Sequence, residues 1–176
     1  MKYLLTGAQG TGKTSVMNAL PDIYLPKLCG ITRKCIEENK LSINEHSDNR
    51  SQKAIFDAYE RQLYSLDSYI AERSLIDVYA YTLHQVKIGK CSPTIAETQY
   101  SHLEKFVALN PNAIYFLLNA EFPVVSDGTR STDKEYQQEI QTNILNTLKQ
   151  LGCKYYLVSG NVEERVNFIT SVINNA

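Results

Sequence analysis

Apolar residues fall in short blocks along the chain, separated by longer stretches in which they recur at helical spacing. KYLLT, Lys2 to Thr6, is a compact apolar run ending at a glycine turn and predicts a buried strand. A helix follows from Lys13 to Leu20, where Pro21 stops it. DIYL, Asp22 to Leu25, predicts a second strand closed by Pro26, and Arg33 to Lys40 reads as a helix. The polar stretch Asn44 to Gln52 reads as a loop. From Lys53 to Leu66, residues Ile55, Phe56, Tyr59, Leu63 and Leu66 share one helical face. SYIA, Ser68 to Ala71, predicts a third strand. Helices are expected over Leu75 to Val86, broken by GKCSP, and over Ile95 to Leu109. NAIYFLL, Asn112 to Leu118, is the strongest strand signal. A long polar loop, NAEFPVVSDGTRSTD, leads to a helix over Glu135 to Leu151 with Tyr136, Ile140, Ile144, Leu145 and Leu148 as its stripe. KYYLVSG, Lys154 to Gly160, predicts a fifth strand, and Val162 to Ile173 the last helix.

Strands that alternate with helices imply an α/β fold, a parallel sheet covered on both faces. Right-handed crossovers then bring every strand's C-terminal end to one edge, where such sheets bind ligands. The chemistry is therefore expected just after the strands.

The 176 residues suit one domain, 1–176. Apolar residues make up 43%, charged residues 21%, and the formal net charge is -1, so no general attraction to nucleic acid or membrane is expected. No apolar run reaches bilayer-spanning length, and MKYLL is too short for a signal peptide, so a cytoplasmic protein is expected. Cys29, Cys35, Cys91 and Cys153 fit no zinc or redox spacing and are expected as reduced, mostly buried thiols. His46, His84 and His102 are dispersed, with no catalytic partner in sequence.

GAQGTGKT, Gly7 to Thr14, changes the picture. Gly7, Gly12, Lys13 and Thr14 fit G-x-x-x-x-G-K-[ST], placed between a strand and a helix as the motif requires. Glycines let successive N–H groups face one anion, and the helix adds its positive end. Gly7, Gln9, Gly10, Thr11, Gly12, Lys13, Thr14 and Ser15 are thus expected to hold the phosphates of ATP. Lys13 would reach the β- and γ-phosphates, and Thr14 would ligate Mg2+. A GTPase would need N-K-x-D after a later strand, whereas Asn39-Lys40 is followed by Leu41 and Ser42. An AAA-type ATPase would want a strand ending Asp-Glu, whereas the third strand runs into Glu72-Arg73-Ser74. A carboxylate there lies near the metal and the acceptor oxygen, and the arginine can clamp phosphate. In SDGTRSTDKE, Asp127-Gly128 marks a turn, with Arg130 and Lys134 ahead of the next helix.

GAQGTGKT, GITRK, AERSLIDVYAY, SDGTRSTD, then a strand followed by Gly160 and EER, together resemble small phosphate-loop kinases of nucleosides and nucleotides. The pattern is most similar to the nicotinamide riboside kinase domain of a bacterial NAD-salvage protein and its compact, often phage-encoded relatives. It also resembles thymidylate and deoxyribonucleoside kinases, and it spans nearly the whole chain. The resemblance implies a three-layer phosphate-loop fold, like that of nucleoside monophosphate kinases, with five parallel strands in the order 2-3-1-4-5. It implies an acceptor-side segment at about 42–67 and a lid at about 120–134. It makes Lys13, Glu72, Arg73 and Arg130 catalytic, with Thr14 and Glu72 at the metal. Arg33, Arg73, Asp77 and Asp127 fall on the substrate side, Asp127 anchoring the loop, and Arg165 lies near the adenine. Arg50, Gln52, Tyr59 and Tyr64 are further candidates for acceptor contacts.

Relatives that phosphorylate a free hydroxyl often carry an acid shortly before the arginine matched by Arg33, where this chain has Cys29, Gly30, Ile31 and Thr32. An acceptor that is already anionic needs cations rather than a strong base, so a (deoxy)nucleoside monophosphate is expected as acceptor. A nucleoside kinase, for nicotinamide riboside or a deoxyribonucleoside, stays open. So do a nucleic-acid 5′-end kinase and an ATP-binding regulator. A small-molecule partner is expected, with no nucleic acid or membrane, and a homodimer is allowed; a phage-encoded protein would work in the host cytoplasm.

Overall fold

The computed structural model describes residues 1–21, 25–42, 46–121 and 133–176. Five strands form one parallel sheet: β1 (Lys2–Thr6), β2 (Lys27–Leu28), β3 (Tyr69–Ala71), β4 (Ile114–Leu118) and β5 (Lys154–Val158), in the order β2-β3-β1-β4-β5. The expected order is the observed one. The helices of the described residues are α1 (Lys13–Ala19), α2 (Ile31–Asn39), α3 (Asn49–Tyr64), α4 (Leu75–Lys87), α5 (Pro93–Leu109), α6 (Lys134–Gln150) and α7 (Val162–Asn174).

Strand alternation sorts the core into two layers. Tyr3, Leu5, Ile114, Phe116 and Leu118 face Val16, Met17 and Leu20 of α1 and Ile169 of α7. Leu4, Tyr69, Ala71, Tyr115 and Leu117 face the opposite layer, built from α3 to α6 with Cys35 of α2. Leu4 and Leu5 are both fully buried, each contributing about 1.5–3 kcal/mol by leaving water.

Two expectations need correction. The second strand is Lys27–Leu28, and Leu25 lies outside it, while residues 22–24 are not among those described. Pro26 precedes this edge strand rather than closing it. A proline has no N–H to donate, but its carbonyl accepts from Ile70 N at 3.0 Å. The third helix starts at Asn49, inside the expected loop, because the Asp48 side chain accepts the Ser51 N–H at 2.9 Å and caps it. The cysteines are free, as expected, with Cys35 and Cys91 buried and Cys29 exposed. No helix of the described residues is long and apolar enough to cross a membrane.

Candidate functional site at the phosphate loop

β1 ends at Thr6, and the chain turns through Gly7 to Gly12 into α1. Two glycines are required by geometry. A Cβ on Gly7 would come within 2.9 Å of the Leu118 carbonyl, and its φ of 146° is closed to other residues. Gly12, at φ 85°, sets the left-handed turn into α1. Gln9 and Thr11 are buried, Gly10 and Thr14 half-buried, and Ser15 exposed.

Helix starts differ across the fold. α3 to α7 are capped by their own side chains: Asp48, Ser74, Ser92, Asp133 and Asn161. α1 and α2 instead begin after left-handed glycines, Gly12 and Gly30, with no side-chain cap. Both uncapped ends lie beside Glu72, where their N–H groups can take an outside acceptor.

The loop is braced from three sides. Asp77 accepts the Thr6 hydroxyl at 2.7 Å and Gly7 N at 3.1 Å. From α6, Gln141 accepts Ala8 N at 2.8 Å and donates to the Leu118 carbonyl, and Gln137 donates to the Gln9 carbonyl at 2.7 Å. From α7, Arg165 donates to the Thr11 carbonyl at 2.6 Å.

Inside the loop, Lys13 Nζ donates to the carbonyls of Gly7 and Ala8 at 2.6 and 2.7 Å and to Thr11 Oγ1 at 3.1 Å. The Thr14 hydroxyl donates to Glu72 Oε1, and Gly30 N donates to Glu72 Oε2 at 3.3 Å. Burial works to raise the Glu72 pKa. The Thr14 hydrogen bond, Arg73, the Gly30 N–H and Lys13 outweigh it, so the net shift is downward and the group is a carboxylate at neutral pH. Arg73 lies over the Tyr81 ring, its Cζ 5.6 Å from the centroid, with Nη1 4.0 Å from Asp77.

Glu72 and Thr14 therefore form a hard-oxygen pair at the mouth of the loop, a donor set that fits Mg2+. Among the described residues no group of three or more His, Cys, Asp or Glu could hold a metal, so this pair would share an ion with phosphate oxygens and water.

The structure brings Lys13, Thr14, Glu72 and Arg73 together, and it moves three other candidates. Asp77 was expected to face the acceptor. It is wholly buried, its oxygens taken by Thr6, Gly7, Ser74 N and the Ser74 hydroxyl, because it closes a capping box at the start of α4. Arg165, expected near the adenine, is only 1% exposed and is spent on the Gly160, Thr11 and Asn119 carbonyls and on Glu121. Tyr64 sits at the opposite end of the sheet, its ring 5.8 Å from Lys2 Nζ at the start of β1 and 5.4 Å from Phe106. Tyr59 is buried near the site, its hydroxyl 3.0 Å from Thr32 Oγ1. Gln52 is buried between Ser47 and Thr82, and Arg50 bonds the Asn39 carbonyl from the surface. Arg33 is exposed in the first turn of α2. Asp127 and Arg130 lie outside the described residues. Gln137 and Gln141 escaped the sequence reading. Their signal was two amides one helical turn apart, interleaved with the apolar Tyr136, Ile140 and Ile144.

A family model described as an AAA domain matches residues 2–165. The chain belongs to this family. In this member β3 runs into Glu72-Arg73 rather than Asp-Glu. None of the curated proteins compared matches the chain. Among solved structures, the deoxyadenosine kinase of M. mycoides with products dCMP and a flexible dCDP bound aligns over 100% of both chains, with a TM-score of 0.69 and 17% identity. NadR protein in complex with NR aligns with a TM-score of 0.63 and 14% identity, over 91% of this chain and 44% of NadR. The YorR protein of Bacillus subtilis in complex with phosphorylated GDP aligns over 99% and 96% of the two chains, with a TM-score of 0.61 and 16% identity. The fold is that of phosphate-loop kinases.

Proposed function

We propose that the protein transfers the γ-phosphoryl group of ATP, with Mg2+, to a nucleotide-type small molecule, first of all a (deoxy)nucleoside monophosphate. One observation carries the reading: the carboxylate at the end of β3, Glu72, is bonded to Thr14 of the phosphate loop with Arg73 beside it. A phosphate loop alone binds a nucleotide. A strand-end acid and arginine at its mouth add a place for a second, phosphate-bearing molecule.

In this reading the loop N–H groups and the α1 terminus bind the ATP phosphates, and Lys13 leaves the Gly7 and Ala8 carbonyls to meet them. Thr14 and Glu72 would hold the magnesium, which when bound neutralises charge on the phosphate oxygens. Arg73, stacked on Tyr81, orients the acceptor. Arg130, outside the described residues, would add a further cation for the transferring group. Catalysis is positioning and charge neutralisation.

A nucleoside acceptor is the second reading, favoured by the likeness to the deoxyadenosine kinase and to NadR in complex with NR. It would ask Glu72 to act as general base on a hydroxyl. A carboxyl held below its ordinary pKa serves poorly in that role, which favours an acceptor that is already anionic.

The test is ADP release from Mg-ATP with ribo- and deoxyribonucleosides, their 5′-monophosphates and nicotinamide riboside. Stimulation by a monophosphate supports the proposal, and stimulation only by a nucleoside moves it to the second reading. No stimulation by any of them defeats both.

A further inference from the structure

Gln9 is a buried side chain of the phosphate loop, and half of its amide is unused. The residue is 4% exposed. Its carbonyl accepts Gln137 Nε2 at 2.7 Å, and its Oε1 accepts the Tyr81 hydroxyl at 3.0 Å. Its Nε2 is buried with no hydrogen-bond partner. The orientation of the amide follows from its neighbour. Arg73 lies over the ring of that same Tyr81, its Cζ 5.6 Å from the centroid. The Tyr81 hydroxyl donates to Oε1, which leaves the N–H2 turned away from Tyr81. Burying a donor without a partner costs stability, and an orphan of this kind calls for an explanation.

The neighbours identify the missing partner. Nε2 only donates, so the partner must be an acceptor atom. The side chain is tied to Tyr81 and, through it, to Arg73, both on the β3–α4 side of the loop rather than on the α7 side. Lys13, the cation expected on the ATP phosphates, is bonded to Gly7, Ala8 and Thr11. Nearby carboxylates are occupied: Asp77 by Thr6, Gly7 and Ser74, and Glu72 by Thr14 and Gly30. The result is a fixed neutral donor beside a stacked guanidinium.

We infer that Gln9 Nε2 is a specificity contact that donates to an anionic oxygen of the acceptor's own phosphate. The inference rests on the phosphoryl-transfer reading and deepens it. Gln9 and Arg73 together grip the phosphate of a monophosphate acceptor, a group that a nucleoside lacks. Gln9 thus belongs to the acceptor rather than to ATP.

The test compares Gln9→Glu with Gln9→Leu, using calorimetric titration with 5′-monophosphates, the matching nucleosides and a non-hydrolysable ATP analogue. Gln9→Glu is nearly isosteric and keeps an oxygen for Tyr81, but replaces the donor with an acceptor. A merely structural Gln9 predicts losses shared by monophosphate, nucleoside and ATP analogue, since a buried carboxylate disturbs the loop as a whole. A phosphate contact predicts a selective loss: Gln9→Glu weakens monophosphate binding by about tenfold or more, beyond Gln9→Leu and beyond any loss for the matching nucleoside or the ATP analogue. Relative to wild type at each pH, the Gln9→Glu loss shrinks as pH falls, because protonation restores a donor. Should Gln9→Leu fail to fold, the loss for monophosphate over the matching nucleoside in Gln9→Glu decides alone. Monophosphate affinity unchanged in Gln9→Glu overturns the inference and leaves the kinase reading standing. A wild-type protein that binds nucleosides but no monophosphate also overturns it, while transfer to a nucleoside survives. Wild type that binds neither, and releases no ADP with either, defeats the inference and the reading beneath it.

Discussion

Arg165 Nη1 donates to the Thr11 carbonyl at 2.6 Å across 154 positions of sequence. The same guanidinium holds the Gly160 carbonyl through Nε at 2.7 Å and Glu121 through Nη2 at 2.9 Å, and it reaches the Asn119 carbonyl at 3.4 Å. Glu121 in turn accepts Gly160 N at 2.9 Å. One buried side chain therefore ties the phosphate loop to the segments that follow β4 and β5. The planar, five-donor guanidinium suits a junction of several oxygens, and lysine could not reproduce the fork.

Arg165→Met should cost about 2–4 kcal/mol, from lost charged hydrogen bonds and partly orphaned carbonyls. For a chain of this size that lowers Tm by roughly 5–15 °C. Apparent KM for ATP should rise with it, because Thr11 is no longer pinned. Thermal denaturation and ATP titration read both effects. An unshifted Tm would show that the guanidinium is not the clamp described.

Lys13→Ala should abolish acceptor-dependent ADP release, a loss of about a hundredfold or more, by removing the cation expected on the transferring phosphate. Lys13 also bridges Gly7, Ala8 and Thr11, so some loosening of the loop is expected alongside. Helix α1 keeps its core packing through Val16 and Met17, so far-ultraviolet circular dichroism should stay that of the wild type. A variant that retains near wild-type turnover would remove Lys13 from the chemistry.

The fold was legible because its elements obey simple periods. KYLLT and NAIYFLL are apolar runs too short for helices, and the sheet they seed is central and parallel. The phosphate loop was legible because its spacing encodes its geometry. The second strand was misplaced because two edge-strand residues, Lys27 and Leu28, carry almost no periodic signal. Asp77 and Arg165 carry internal bonds that the sequence did not show, for one shared reason. A charged residue near a phosphate loop suggests a ligand contact, yet here both charges are consumed by the protein's own backbone and hydroxyl groups. Sequence shows that a charge is present, but only three-dimensional packing shows whether it is already spent.

Asp77→Asn tests that correction. Its two oxygens serve Thr6, Gly7 and Ser74, all buried, so exchanging one oxygen for an N–H2 breaks at least one bond and adds a surplus donor. A stability loss of about 1–3 kcal/mol is expected. In the folded fraction, KM for the acceptor should move by less than about threefold, since the side chain is fully buried and bonded within the protein. Denaturant titration and acceptor saturation curves separate the two. A large rise in acceptor KM with stability intact would restore Asp77 to the substrate side.

Glu72→Gln should lower kcat by about a hundredfold and leave ATP affinity within about threefold, because in the proposed reaction the carboxylate would act on the metal and the transferred group more than on the bound nucleotide. The pH dependence has a definite sign. The folded pKa of Glu72 lies below its unfolded value of 4.5, so the stability linked to its charge is complete above that value and is lost as pH falls through the folded pKa. The Tm difference between wild type and Glu72→Gln should therefore be flat across the neutral range and change only below 4.5. For the same reason, any acid limb that Glu72 contributes to kcat/KM must lie below that value. An acid limb near neutrality that vanished in Glu72→Gln would mean a raised pKa and a working general base, and would turn the assignment towards a nucleoside acceptor.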